Sequence, residues 1–244
     1  MKHIPNALTL CNLFCGCCAL VFLLYGYPDV AAWFTLGSFL CDYADGMAAR
    51  ALGISSPLGK ELDSLADVVS FGVVPGAMLY KMLCGSSWVL YAPGSANQAV
   101  CAAALPAFAL SAFSALRLGR FNLDTRQTSY FIGLSTPACT VLVLGLSLAA
   151  QHNRFGLGDT LREPFFLYAL IGLLCWLLNS EIPMFGMKIK RFDLRSNALN
   201  LGFLALSALL VLFLKELGLS AIIVVYIIAS ILLREKVMGE KVRR

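Results

Sequence analysis

Eight apolar blocks run through this chain, at about residues 7–25, 30–50, 61–84, 97–116, 131–151, 164–179, 197–214 and 219–233, and they constrain its fold more than any other feature. Most reach the roughly 17–25 residues that a helix needs to cross about 30 Å of hydrocarbon; the sixth and eighth are the short ones. Unpaired backbone groups are so costly in lipid that only helices or a closed barrel span it, and near-continuous apolar runs suit helices rather than strands of period two. Composition agrees, since 59% of the 244 residues are apolar and 14% charged, with a mean hydropathy of +0.78. A soluble domain carries roughly 45–50% and about 25%. These values exclude a disordered chain, a nucleic-acid-binding domain and a disulfide-stapled secreted module. The expectation is an all-α integral membrane protein of about eight transmembrane helices.

Eight helices put both termini on one side, and the basic residues say which. The side holding the N-terminus collects 15 of the 19 Lys and Arg residues, leaving Lys81, Arg154, Arg162 and Lys215 for the other. Under the positive-inside rule both termini are cytoplasmic, in a multi-pass protein of the cell membrane. Asp29, Trp88, Tyr91 and Tyr168 then fall on the outer side, as an aromatic belt would. The first block reads as a retained helix rather than a secretory signal, because its positive region is Lys2 alone and no small-x-small cleavage site follows. Cys15, Cys17 and Cys18 have no second Cys or His pair to complete a metal site and read as small packing residues. His3 and His152 receive no role.

Four of the 14 acidic residues lie inside apolar blocks: Asp42 and Asp45 in the second, Asp63 and Asp67 in the third. Each costs at least about 2.5–3.5 kcal/mol at a helix centre, so such residues face a cavity or a partner and mark function. Spacings of i, i+3 and i, i+4 put each pair on one face of its helix. The short cytoplasmic connection makes the two helices antiparallel neighbours whose acidic faces can meet. Four converging carboxylates cannot all carry charge uncompensated. Ion pairs with Arg50 and Lys60 would supply two cations for four anions, so divalent ions are the better answer. Oxygen-only ligands suit hard ions such as Mg²⁺, Mn²⁺ or Ca²⁺.

The residues between the pairs add a second function. Gly46 and Ala49 remove bulk beside Asp45, and Gly59 does so one turn before Asp63, as an approaching flat ligand requires. Ser56 followed by Pro57 reads as an N-cap with Pro at the first helical position, which offers free N–H groups to an anion. With Arg50, this places a phosphate end beside a metal end, the equipment of phosphoryl transfer.

Residues 42–67 read D-Y-A-D-G-M-A-A-R, eight residues, then G-K-E-L-D-S-L-A-D. This resembles the complete signature of the CDP-alcohol phosphotransferases, D-x-x-D-G-x-x-A-R-(8)-G-x-x-x-D-x-x-x-D, with all eight fixed positions present. The resemblance implies a core of six transmembrane helices over residues 1–196, two additional helices over 197–233 and a basic cytoplasmic tail over 234–244. It also implies two divalent ions, Mg²⁺ or Mn²⁺, held by Asp42, Asp45, Asp63 and Asp67, with Asp67 also the catalytic base. Asn6, Thr9, Gly46, Ala49, Arg50, Ser56 and Gly59 become contacts to the CDP-linked donor. The opening Ile4-Pro5-Asn6-Ala7-Leu8-Thr9-Leu10-Cys11-Asn12, the stretch L-R-L-G-R-F-N from Leu116 to Asn122, and F-I-G-L-S-T-P from Phe131 to Pro137 are similar to the phosphatidylserine synthase branch. Gly119 stands where that branch has Ala, and Ser135 where it has Pro. The substrates implied are CDP-diacylglycerol and L-serine, among membrane lipids, and the resemblance admits a homodimer.

A serine acceptor presents a carboxylate, an ammonium and the attacking hydroxyl. Arg117 and Arg120, at the cytoplasmic end of the fourth helix, are placed to clamp the carboxylate and Asn122 to accept from the ammonium, although Arg at a span end also snorkels to anionic headgroups. Three alternatives stay open at this stage, the first being an ether-lipid donor, which would leave the same motif. Glycerol 3-phosphate or an inositol phosphate would need further cations, for which Arg126 is available. A cation transporter would explain the buried acids but not Gly46, Ala49, Arg50 and Gly59 at fixed spacing.

Overall fold

The computed structural model describes residues 3–53, 56–85, 101–124, 131–184 and 198–232. Trp88, Tyr91, Arg126, Lys2 and the basic residues from Lys188 to Arg195 and from Arg234 onward lie outside them. Eight long helices run through the described residues, at Ile4–Leu24, Pro28–Leu52, Pro57–Cys84, Ala102–Leu123, Thr136–Gln151, Pro164–Asn179, Ala198–Leu214 and Glu216–Leu232. Three of them, Ile4–Leu24, Pro57–Cys84 and Ala102–Leu123, are long and apolar enough to cross a membrane, and four more are apolar but shorter. The second helix has the length, 25 residues, but carries Asp29, Asp42, Asp45 and Arg50. The fold is therefore all-α and membrane-associated, apart from a two-residue antiparallel pairing of Phe131–Ile132 with Pro183–Met184.

Proline opens most of these helices, since the missing N–H costs nothing in a first turn. Pro5, Pro28, Pro57, Pro137 and Pro164 all stand there. The second helix closes on Gly53 at φ 62°, a left-handed cap that glycine adopts without strain. The fourth helix begins as a 3-10 turn over Ala102–Phe108, with Pro106 inside it, and runs to Leu123, beyond the apolar block that announced it.

The fifth helix is the centre of the bundle, with 12 of its 16 residues buried. Large apolar side chains on the first, second, sixth and seventh helices point outward, among them Phe14, Trp33, Leu40, Trp176 and Phe213. Such a surface is unfavourable in water and natural against lipid tails. Small residues set the close approaches. The backbone carbonyl of Asn12 accepts from Ser38 Oγ at 3.0 Å and Ser70 Oγ at 3.1 Å, joining the first three helices at one point. Ser70 lies in a π-helical turn, Val69–Val73, just beyond Asp67. A Cβ at Gly76 would stand 2.5 Å from Ser111 Oγ, and Ser111 donates to the Gly72 carbonyl at 2.8 Å, which seats the fourth helix on the third.

The eighth helix packs on the fifth, where Ser220 Oγ donates to the Leu142 carbonyl at 2.7 Å. A Cβ at Gly145 would lie 2.4 Å from Ser220 Oγ and 2.8 Å from the Glu216 carbonyl oxygen, so backbone must move to admit one. Gly145→Ala should therefore destabilise the protein by about 1–3 kcal/mol, lowering its melting temperature in detergent. Gly172, with nothing within 4 Å of its Cβ position, is the control, and Gly172→Ala should leave the melt unchanged or raise it. Equal melts for both variants would contradict this packing. His152, given no role by the sequence, sits at the end of the same fifth helix between Asp29 at 3.1 Å and Glu216 at 3.0 Å, and Arg154 pairs with Glu216 at 2.7 Å. These pairs fasten the beginnings of the second and eighth helices, at the opposite end of the bundle from Asp42, Asp45, Asp63 and Asp67.

Candidate active site

One carboxylate oxygen from each of Asp42, Asp63 and Asp67 comes within 4.8 Å of the other two. The second helix supplies the first, and successive turns of the third supply the others. Asp67 Oδ1 accepts from Asn12 Nδ2 at 3.3 Å. Asp63 Oδ1 is buried and has no partner. Asp45, 7% exposed, stands apart from this trio and accepts from Thr9 Oγ1 at 2.7 Å. Among the described residues no Lys or Arg makes an ion pair with any of the four. Arg50 is exposed and lies along Gly46, its Nη1 3.5 Å from where a Cβ would be, while Lys60 Nζ donates to the Asn122 carbonyl at 3.0 Å. Among the described residues, ion pairing is thus not how these acids are compensated. Converging carboxylates, one of them with an orphaned oxygen, fit a hard divalent ion, with Asp42, Asp63 and Asp67 placed to hold it and Asp45 on the adjoining wall.

A cavity of about 290 Å³ opens beside the trio, lined by Pro5, Asn6, Thr9, Asp45, Gly46, Ala49, Ser56, Gly59, Lys60 and Asp63. Six of the seven residues expected to contact the donor lie here; Arg50 alone does not line it. Ser56 caps the third helix as its sequence requires, accepting from Gly59 N at 2.9 Å. A Cβ on Gly59 would meet Ser56 Oγ at 3.0 Å and Asn6 Oδ1 at 3.2 Å, so glycine is what keeps this wall open. Lys60, weighed in the sequence as an ion-pair partner for the aspartates, instead adds a cation to this wall.

A second cavity, of about 530 Å³, is lined by Arg117, Arg120, Phe121, Leu123, Asp124, Ile132 and the run Leu178 to Glu181. Arg117 is 7% exposed, its guanidinium lies 5.8 Å over the Phe121 ring, and its Nε is buried with no partner. Asn122 is not brought here. Its side-chain Nδ2 donates to Ser64 Oγ at 2.7 Å while its backbone carbonyl accepts from Lys60, so Asn122 latches the fourth helix to the third.

Residues 2–179 match the CDP-alcohol phosphatidyltransferase family. The chain belongs to that family. The matched region ends where the sixth helix ends, at Asn179. The chain is 36% identical over 205 residues to a CDP-diacylglycerol--serine O-phosphatidyltransferase of Helicobacter pylori, covering 83% of this chain and 80% of that one. It is 35% identical over 158 residues to the protein of that description in Bacillus subtilis (65% of this chain, 82% of that one). The corresponding Saccharomyces cerevisiae protein is 33% identical over 167 residues (62% and 55%).

Within this CDP-alcohol phosphatidyltransferase, the two departures from the branch pattern have simple structural readings. A Cβ at Gly119 would meet nothing within 4 Å, so the missing methyl is of no consequence to packing. Ser135 caps the fifth helix, accepting from Ala138 N at 3.3 Å, a role Pro cannot fill. Sequence reasoning missed Asn12 and Asn179. An amide inside an apolar block is a signal in both cases, but its partner is remote in sequence and only the fold supplies it.

Proposed function

We propose that this chain transfers the phosphatidyl group of CDP-diacylglycerol to the hydroxyl of L-serine, giving phosphatidylserine and CMP. The observation that carries the reading is the carboxylate trio, one member of which, Asp63, lines the 290 Å³ cavity, in a chain similar over most of its length to enzymes of that description. The 290 Å³ cavity takes the CDP end of the donor, with the Ser56-capped start of the third helix and Lys60 toward the pyrophosphate. The 530 Å³ cavity takes serine, with Arg117 and Arg120 toward its carboxylate. Divalent ions, two by the family's pattern and Mg²⁺ or Mn²⁺ by ligand type, supply electrostatic stabilisation of the pyrophosphate oxygens. Asp67 receives the serine hydroxyl proton as that oxygen bonds to the β-phosphorus and the bond from this phosphorus to the CMP oxygen breaks.

Six core helices, two further C-terminal helices, cytoplasmic termini and a cytoplasmic site complete the reading. The support is the placement of the basic residues, since Lys60, Arg117 and Arg120 share the aspartates' end of the bundle and Arg154 and Lys215 the other.

The test is acceptor-dependent CMP release by the purified protein in detergent, with CDP-diacylglycerol and a divalent ion. Serine should start it; release on adding glycerol 3-phosphate or an inositol phosphate instead would overturn the acceptor assignment. Arg117→Ala or Arg120→Ala should raise the serine KM by about 1.5–3 kcal/mol equivalent, or roughly 10- to 150-fold, with little change in the KM for CDP-diacylglycerol. Unchanged serine KM in both would make these residues membrane anchors.

A further inference from the structure

We propose that Asn179 reads the ammonium group of the acceptor, across the cavity from the arginine that meets its carboxylate; the assignment rests on the serine reaction proposed above. The cavity carries both signs of charge, Arg117 and Arg120 against Asp124 and Glu181. That is the complement of a zwitterion. A phosphorylated acceptor would set two or more negative charges against those carboxylates and bring no ammonium to offset them.

Asn179 ends the sixth helix, and its orientation is fixed. Its Nδ2 donates to the Phe113 carbonyl at 3.1 Å and to the Cys175 carbonyl at 3.5 Å. Two carbonyl partners identify that atom as the nitrogen and leave Oδ1 as the free end of the amide. Oδ1 is buried and has no hydrogen-bond partner, and so is Arg117 Nε. Native folds seldom leave such atoms unsatisfied, and where they do a ligand or water is the usual reason. Here one orphan is an acceptor on the sixth helix and the other a donor on the fourth, and both residues line one cavity. An α-amino acid offers the matching pair, an ammonium donor and a carboxylate acceptor on one carbon. A helix-ending role needs only the Nδ2 bonds, and does not account for the buried oxygen. Glu181, exposed beside Asn179, adds negative potential at the same wall.

The experiment compares serine with 3-hydroxypropanoate, which keeps the hydroxyl and carboxylate and lacks the amino group. Serine KM and the inhibition constant of 3-hydroxypropanoate are measured for wild type, Asn179→Leu and Asn179→Asp. The Leu variant should raise serine KM by about tenfold or more, while the analogue's inhibition constant and the KM for CDP-diacylglycerol move less than about twofold. The Asp variant keeps an oxygen and adds charge, and should widen the preference for serine over the analogue by about threefold or more. If the Leu variant does not fold, the Asp variant alone decides, and an unchanged preference overturns the assignment. Equal loss for serine and analogue in the Leu variant also overturns it, because that marks a packing defect. Wild-type protein that releases no CMP on adding serine would instead overturn the functional reading beneath it.

Discussion

Replacing Asp67 with Asn should cost turnover about 10²–10⁴-fold, the range lost with a positioned general base, while CDP-diacylglycerol still binds. The carboxylate belongs to the trio and is held by Asn12 at 3.3 Å, but it does not line the 290 Å³ cavity proposed for the nucleotide. Asp45 does line it, and is fixed there by Thr9. Asp45→Asn should therefore weaken donor binding more than Asp67→Asn does, and titration of both variants with CDP-diacylglycerol separates the two effects. Among the described residues no Ser, Cys or His beside the trio is paired with a base as a covalent nucleophile would be, and Ser64 bonds instead to Lys60 and Asn122, so displacement should be direct, with inversion at phosphorus. Near-normal turnover in Asp67→Asn would remove this residue from the proton path, and retention with a chiral phosphorothioate donor would exclude the single step.

Chelation is the second large effect. Excess EDTA should abolish CMP release, and Mg²⁺ or Mn²⁺ should restore it, because removing a group that stabilises developing charge typically costs about 10²–10³-fold or more. Asp42→Asn and Asp63→Asn should each lower Mn²⁺ affinity, measured directly by the paramagnetic signal of bound ion, since an amide ligates less strongly and brings no charge. Asn122→Ala should leave that affinity unchanged, because its side chain turns to Ser64. Full activity in EDTA would contradict the reading of the trio as a metal centre.

Much of this arrangement is legible in the sequence because it rests on local spacing. The i, i+3 and i, i+4 aspartates are bound to share helix faces, and Ser56-Pro57 encodes its own cap. Asn6, Thr9 and Gly46 reach the same cavity because the first three helices are joined by short connections. What spacing does not give is long-range pairing. Asp45 turned to Thr9, Asn122 to Ser64 and His152 to Asp29 and Glu216. In each case a polar group in an apolar bundle took the nearest partner, and that partner lies on another helix. The expected four-carboxylate cluster accordingly resolves into three convergent groups and one on the neighbouring wall. The orphaned Asn179 oxygen is illegible for the same reason, since Asn179 shares its cavity with Arg117 and Arg120 of the fourth helix and Ile132 of the paired strands, all remote in sequence.

The most direct test is the identity of the lipid made. Purified protein in detergent is given CDP-diacylglycerol, a divalent ion and an equimolar mixture of serine, glycerol 3-phosphate, an inositol phosphate and ethanolamine, and the lipid fraction is read by mass spectrometry. The account predicts phosphatidylserine as the dominant product, formed in equal amount to CMP and absent when EDTA is present. A phosphorylated product lipid in its place, or CMP release with no new lipid, would contradict it.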